Sequence, residues 1–164
     1  ELPYEVSGFV PSPLWRRINK FKSWYDGDTA NLSIGQGDVL VTPLQMARMI
    51  AVFANKGYLV TPYIVKAVGD KDISFYQRRA EKLSIKEGTL DYIRQGLRGV
   101  VADSGGTGNV LSQLSVPVAG KTGTAQIPSE DKRGYSDETI HTFVGYAPAY
   151  NPKFLIFLEM DKNG

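Results

Sequence analysis

The sequence predicts an α+β fold, an antiparallel sheet with flanking helices, and three observations predict it. Two segments repeat apolar residues at three- and four-residue spacing behind N-terminal capping signals, one starting at Thr42 and the other at Ser84. β-Rich runs then follow one another at 116–126, 139–147 and 153–160. The last two are joined by Pro148-Ala149-Tyr150-Asn151-Pro152, short enough for a hairpin, and helices followed by consecutive strands argue for an antiparallel sheet.

Taken in order, residues 1–41 scatter Pro11, Pro13, Gly27, Gly35 and Gly37 among Trp15, Phe21, Trp24 and Tyr25. No helical or strand period survives there, so extended, loop-rich structure is expected, with the aromatic cluster serving packing. Thr42-Pro43-Leu44-Gln45 places a hydroxyl at the N-cap, proline at the first helical position and Gln three residues after the cap. Leu44, Met46 or Ala47, Ile50 or Ala51, and Ala54 form the apolar face of a helix over 43–56, which Asn55-Lys56-Gly57 stops. Tyr58 to Val60 and Tyr63 to Val68 read as short edge strands split by Pro62. Ser84-Ile85-Lys86-Glu87 is a second capping box, ahead of Leu90, Ile93, Leu97, Val100 and Val101, and this helix ends near Asp103. A turn at Ser104-Gly105-Gly106-Thr107-Gly108-Asn109 leads into the strands. There is no internal repeat, coiled-coil heptad or low-complexity tract.

Composition excludes several chemistries. The 164 residues include no cysteine and one histidine, which removes disulfides, thiolate zinc sites, thiol nucleophiles and multi-histidine zinc centres. A net charge of +2 gives little field for polyanions, so no nucleic acid partner is expected. The longest apolar runs, 49–54 and 154–158, fall far short of the roughly 20 residues a membrane span requires. The chain opens on Glu1-Leu2-Pro3-Tyr4, with no initiator Met and no signal-like stretch, and reads as an internal piece of something longer.

The chemically richest segment is Gly120-Lys121-Thr122-Gly123-Thr124-Ala125-Gln126. On a strand, alternation sends Thr122 and Thr124 to one face and Lys121 to the other, while Gly123 leaves room for another backbone to lie close. Two hydroxyls beside an ammonium make a cradle for a carboxylate, and the strand's N–H groups can pair with an extended peptide or face a developing oxyanion. By itself K-T-G also fits a Gly-Thr turn with a solvated lysine. A phosphate-binding loop is excluded, because it requires glycine where Ser115 stands and a helix where Gly123 and Pro128 interrupt one. Ser129-Glu130-Asp131-Lys132 matches S-x-x-K but follows Pro128 in a charged loop, the wrong setting for a helix-borne nucleophile. His141 reads as a structural strand residue, since no Ser or Asp placement completes a triad. Asn31-Leu32-Ser33 is a glycosylation sequon by pattern only.

Together these pieces are specific. Trp24-Tyr25-Asp26-Gly27-Asp28-Thr29, Ser33-Ile34-Gly35-Gln36-Gly37, Val41 to Ala47, Gly120 to Gln126 and His141 to Pro148 occur in the order seen in class B penicillin-binding proteins. The chain resembles the C-terminal part of their transpeptidase domain, and the W-Y-x-G-D-T and I-G-Q-G elements most resemble the elongation-specific branch, penicillin-binding protein 2.

The resemblance implies a partial penicillin-binding-protein/β-lactamase-like fold and a D,D-transpeptidase that cross-links peptidoglycan. In that reaction a serine attacks a D-Ala-D-Ala stem peptide, releases D-Ala and passes the acyl group to a neighbouring amine, and β-lactams acylate the same serine. It implies that Lys121 adds positive charge beside the proton-handling groups and that Thr122 and Thr124 bind the substrate carboxylate. The Thr124 N–H would be an oxyanion donor, with Gly123 and Gln126 bordering the same groove. The resemblance implies no metal or organic cofactor; implied partners are stem peptides, β-lactams, the missing N-terminal half of the domain and a membrane glycan polymerase. The implied location is outside the cytoplasmic membrane, tethered by an anchor outside this chain. The family also requires S-x-x-K and S-x-N motifs before the K-T-G strand, and neither precedes Lys121. Residues 1–164 are therefore expected to be the distal portion of one transpeptidase domain, without the nucleophile or the final helix, and inactive alone. A β-lactamase or β-lactam sensor of the same fold, or a non-catalytic carboxylate-binding module, are the competing readings.

Overall fold

The computed structural model describes residues 4–73, 80–128 and 135–160, with side chains given for all of these except 127–128 and 135–138. The region expected to be extended instead holds two helices, α1 (Pro13–Lys20) and α2 (Asp26–Ser33). Each is eight residues long, about two turns; in α1 Leu14, Trp15 and Ile18 do keep helical spacing apart from Arg16, Arg17, Asn19 and Lys20, whereas α2 has no apolar face. Local capping starts both. Ser12 Oγ accepts the Trp15 N–H at 3.1 Å with Pro13 opening α1, and the Asp28 carboxylate accepts the Tyr25 N–H at 2.9 Å at the start of α2. The aromatics are not one packed cluster: Trp15 meets Phe9 at 4.7 Å and Trp24 donates to Thr29 Oγ1, but Phe21 and Tyr25 are exposed. The Asn31 sequon lies inside α2.

Helix α3 (Pro43–Ala54) carries the expected capping box. Thr42 Oγ1 accepts the Gln45 N–H at 3.2 Å and Gln45 Oε1 accepts the Thr42 N–H at 2.9 Å. Its exit bends through Gly57 at φ +89°, where an added Cβ would press on Leu90. Strand β1 (Tyr58–Val60) pairs with β4 (Ala80–Lys82), and β2 (Ala67–Val68) with β3 (Lys71–Asp72), so of the expected 63–68 strand only its last two residues form one. Helix α4 (Glu87–Ala102) starts later than its capping box predicts, with Lys86 at the N-cap and no side-chain cap. A 3₁₀ turn at Asn109–Gln113 follows.

The main sheet has order β5-β6-β7, all antiparallel, from Ala119–Pro128, Tyr135–Ala147 and Phe154–Met160. The first strand begins three residues after the expected Val116, beyond Pro117, which has no N–H for a ladder. Helices α3 and α4 cover one face: Ile50 and Leu97 meet Ala119, Val144 and Tyr146, flanked by Phe53, Ile93, Leu155 and Phe157. Leu90 and Val101 are fully buried, each side chain contributing about 1.5–3 kcal/mol by removal from water. Arginines tie the layers, Arg94 Nε donating to Phe53 O at 2.8 Å and Arg98 Nη1 to Val118 O at 3.1 Å. On the other face, Phe154, Ile156, Leu158 and Met160 of β7 are exposed.

Candidate functional site

Strand β5 pairs with β6 on one side only, which makes it an edge strand among the described residues. Its register sets Thr122 opposite Phe143, Gly123 opposite Thr142 and Thr124 opposite His141. Ala119 and Lys121 therefore share the helix-covered face with Val144 and Tyr146, and Gly120, Thr122 and Thr124 share the other with Phe143 and His141. Gly120 and Gly145 face each other beneath the Phe143 ring, and a Cβ on either would lie 2.6 or 2.7 Å from Phe143 Cζ. The glycine pair is thus the seat of one aromatic ring. Gly123 has a similar reason. The space its Cβ would take is filled by the Thr142 hydroxyl of the neighbouring strand, not by an incoming backbone.

The carbonyls of Thr122 and Thr124, two residues apart, point to the same strand edge. Side chains take both of them. Lys121 Nζ donates to Thr122 O at 2.6 Å, which brings the ammonium round to the edge, and Gln36 Nε2 donates to Thr124 O at 3.2 Å. In an antiparallel ladder a residue turns its N–H and C=O the same way, so the Thr124 N–H faces this edge as well. The Thr122 hydroxyl meets the Thr107 hydroxyl at 2.6 Å, and the Thr124 hydroxyl lies 3.4 Å from His141 Nδ1. Gln126, opposite Thr139, is exposed at the far end of the segment.

Gln36 is held in place by the two helices absent from the sequence reading. It sits between Gly35 at φ +73° and Gly37 at φ +83°, and its N–H donates to Asn31 O at the end of α2. Asp38 then pairs with Lys20 of α1 at 2.5 Å, and Arg16 of α1 with Asp28 of α2 at 2.8 Å. Both pairs are partly exposed, Lys20–Asp38 more than Arg16–Asp28, and contribute up to about 1 kcal/mol each, enough to orient a turn but not to build a core.

The site thus gathers two hydroxyls, an ammonium and an edge of main-chain donors, a set suited to an extended peptide ending in a carboxylate. The sequence brings Lys121, Thr122, Gly123, Thr124 and Gln126 together because they are local. Thr107, Gln36 and the nearness of His141 were missed as site features. For Gln36 the glycines on either side were the available signal. Ser129 lies outside the described residues. A cavity of about 890 Å³ opens elsewhere, beside Ala51, Arg94, Arg98, Tyr146 and Phe154, and none of residues 121–126 lines it.

The fold and this strand edge define a class, an α+β domain whose three-stranded antiparallel sheet presents a K-T-G-T strand at its edge, and comparison with known proteins gives the family. The sequence profile of the penicillin binding protein transpeptidase domain matches residues 1–164, and the chain belongs to that family. It is 32% identical to the peptidoglycan D,D-transpeptidase MrdA of Acinetobacter baumannii over 95% of this chain and 25% of that protein. The crystal structure of Pseudomonas aeruginosa PBP2 in complex with WCK 5153 superposes with TM-score 0.79 at 30% identity, over 96% of this chain and 34% of that one. Helicobacter pylori PBP2 in its complex with MreC gives TM-score 0.78 at 29% identity, over 96% and 28%. The chain spans about a quarter of the length of the curated relatives it matches. No described helix is long and apolar enough to cross a membrane.

Proposed function

We propose that this chain is the C-terminal portion of one D,D-transpeptidase domain and supplies the strand that receives the peptidoglycan stem peptide. The observation that carries this reading is the edge of β5, where Lys121, Thr122 and Thr124 stand beside main-chain groups on a strand with no neighbouring strand on that side among the described residues. In this reading the Thr122 and Thr124 hydroxyls bind the terminal carboxylate of the substrate or of a β-lactam. Lys121 adds positive charge next to the proton-handling groups, and the Thr124 N–H stabilises the oxyanion. Gly123 and Gln126 border the groove.

A serine borne on an S-x-x-K helix, supplied by a segment N-terminal to this one, attacks the D-Ala-D-Ala carbonyl. It expels D-Ala and transfers the acyl group to the amine of a second stem peptide. No such motif precedes Lys121, so the chain alone is proposed to be inactive. Likeness to a PBP2 in complex with MreC, and to a chain of a peptidoglycan synthase complex described as coordinating polymerization and crosslinking, supports work in a wall-elongation assembly with a membrane glycan polymerase. The domain then lies outside the cytoplasmic membrane, on an anchor elsewhere in the protein.

Mass spectrometry of the full-length protein after exposure to labelled penicillin tests the reading. A stable covalent adduct is expected. No adduct would reduce the site to a carboxylate-binding module, and rapid loss of an adduct would make the protein a β-lactamase. Thr124→Val is expected to slow acylation about tenfold through loss of one charge-assisted hydrogen bond.

A further inference from the structure

His141 completes no triad, but its ring lies between two threonine hydroxyls. Nδ1 is 3.4 Å from Thr124 Oγ1 and Nε2 is 3.1 Å from Thr139 Oγ1. All three side chains belong to the face that carries Thr122 and Thr124, where register also places Gln126, Phe143, Leu158 and Met160. None of these is charged. Both nitrogens of the chain's only histidine therefore meet hydroxyls.

A hydroxyl has one proton to give and lone pairs to receive. If Nδ1 lacks its proton, it draws the Thr124 O–H towards itself, and only lone pairs remain to face an anion. If Nδ1 carries the proton, it donates to a Thr124 lone pair, and the Thr124 O–H stays free to donate elsewhere. Thr139 offers a way to select between these states: when its O–H donates to Nε2, the proton is held on Nδ1.

We propose that His141 is a positioning residue which, as the Nδ1–H tautomer set by Thr139, turns the Thr124 hydroxyl into a donor aimed at the carboxylate of the ligand. The chain of donors runs Thr139 O–H to Nε2, Nδ1–H to Thr124 Oγ1, and Thr124 O–H to the carboxylate. This inference rests on the reading of Thr124 as a carboxylate-binding residue. His141 itself touches no reacting atom, and no proton is transferred.

With one histidine in the sequence, long-range ¹H–¹⁵N spectra report its tautomer without assignment. The 164-residue chain is expected to show a protonated Nδ1 and an unprotonated Nε2, and Thr139→Val is expected to move the population towards Nε2–H. An Nε2–H ring in the unaltered chain overturns the proposal. In the full-length protein, His141→Leu is expected to lower the second-order rate of penicillin acylation about fivefold to tenfold, the scale of a lost donor to a charged group. His141→Asn, whose amide N–H stands where Nδ1–H stood, is expected to restore it to within about twofold. Equal losses in the two variants mean the ring only fills space and sink the idea. Thr124→Val is measured beside them. If it alone slows acylation, the role of His141 fails while the site reading stands, and if it changes nothing, the site itself has been misplaced.

Discussion

The side-chain amide of Gln36 donates to the main-chain carbonyl of Thr124 at 3.2 Å across 88 positions of sequence. This bond ties the glycine-flanked turn after α2 to the candidate substrate strand, at a carbonyl that an added peptide strand would otherwise use. Gln36→Glu replaces the donor by an anion next to a carbonyl and beside the proposed carboxylate cradle. Acylation of the full-length protein by labelled penicillin is expected to slow about tenfold or more, with Gln36→Ala affected less. Equal rates in all three proteins would show that the turn does not orient the strand.

The seat of Phe143 predicts a stability effect. Gly145→Ala places a methyl group within 2.7 Å of both the Phe143 ring and Ala119 O, so the variant is expected to lose about 1–3 kcal/mol in denaturant unfolding. Adding Phe143→Leu relieves the ring clash but not the backbone one. The double variant is therefore expected to recover part of the loss, and strict additivity would remove the clash as its cause.

Thr42 closes the capping box of α3, the helix that brings Ile50 to the core. Thr42→Ala leaves the Gln45 N–H without its acceptor and is expected to cost about 1 kcal/mol. Thr42→Ser is expected to retain nearly all of it. The unfolding midpoints of the two variants give the comparison.

Burial raises the Tyr146 phenol above its ordinary range, and the nearby Arg94 charge partly opposes this. The sign follows from proton binding. Above the unfolded value near 10 the unfolded chain has lost this proton and the folded chain has kept it, so stability falls as pH rises from there through the folded value. Tyr146→Phe cannot ionise. Its stability is expected to decline less steeply than the parent's above about pH 10, and parallel curves would assign the decline to other groups.

Some elements were legible because they are local. The Thr42 box lies within four residues, the β5–β7 strands alternate in place, and the K-T-G-T hydroxyls ride on one strand whose pleat fixes their faces. Helices α1 and α2 were not read from the sequence: α2 has no apolar face, the Leu14, Trp15 and Ile18 spacing of α1 lasts only two turns, and their caps, Ser12 and the Asp28 carboxylate, are single groups among many prolines and glycines.

The sequence by itself determined the α+β class, the helix behind Thr42 and which hydroxyls of the candidate strand share a face. Those follow from backbone propensity and side-chain period, which act over a few bonds. Only the tertiary structure decided that Gln36 caps the Thr124 carbonyl, that Thr107 meets Thr122 and that His141 stands beside Thr124. The strand ladder and the packing of α3 and α4 on the sheet set those distances, because a hydrogen bond reads position in space and carries no record of separation along the chain.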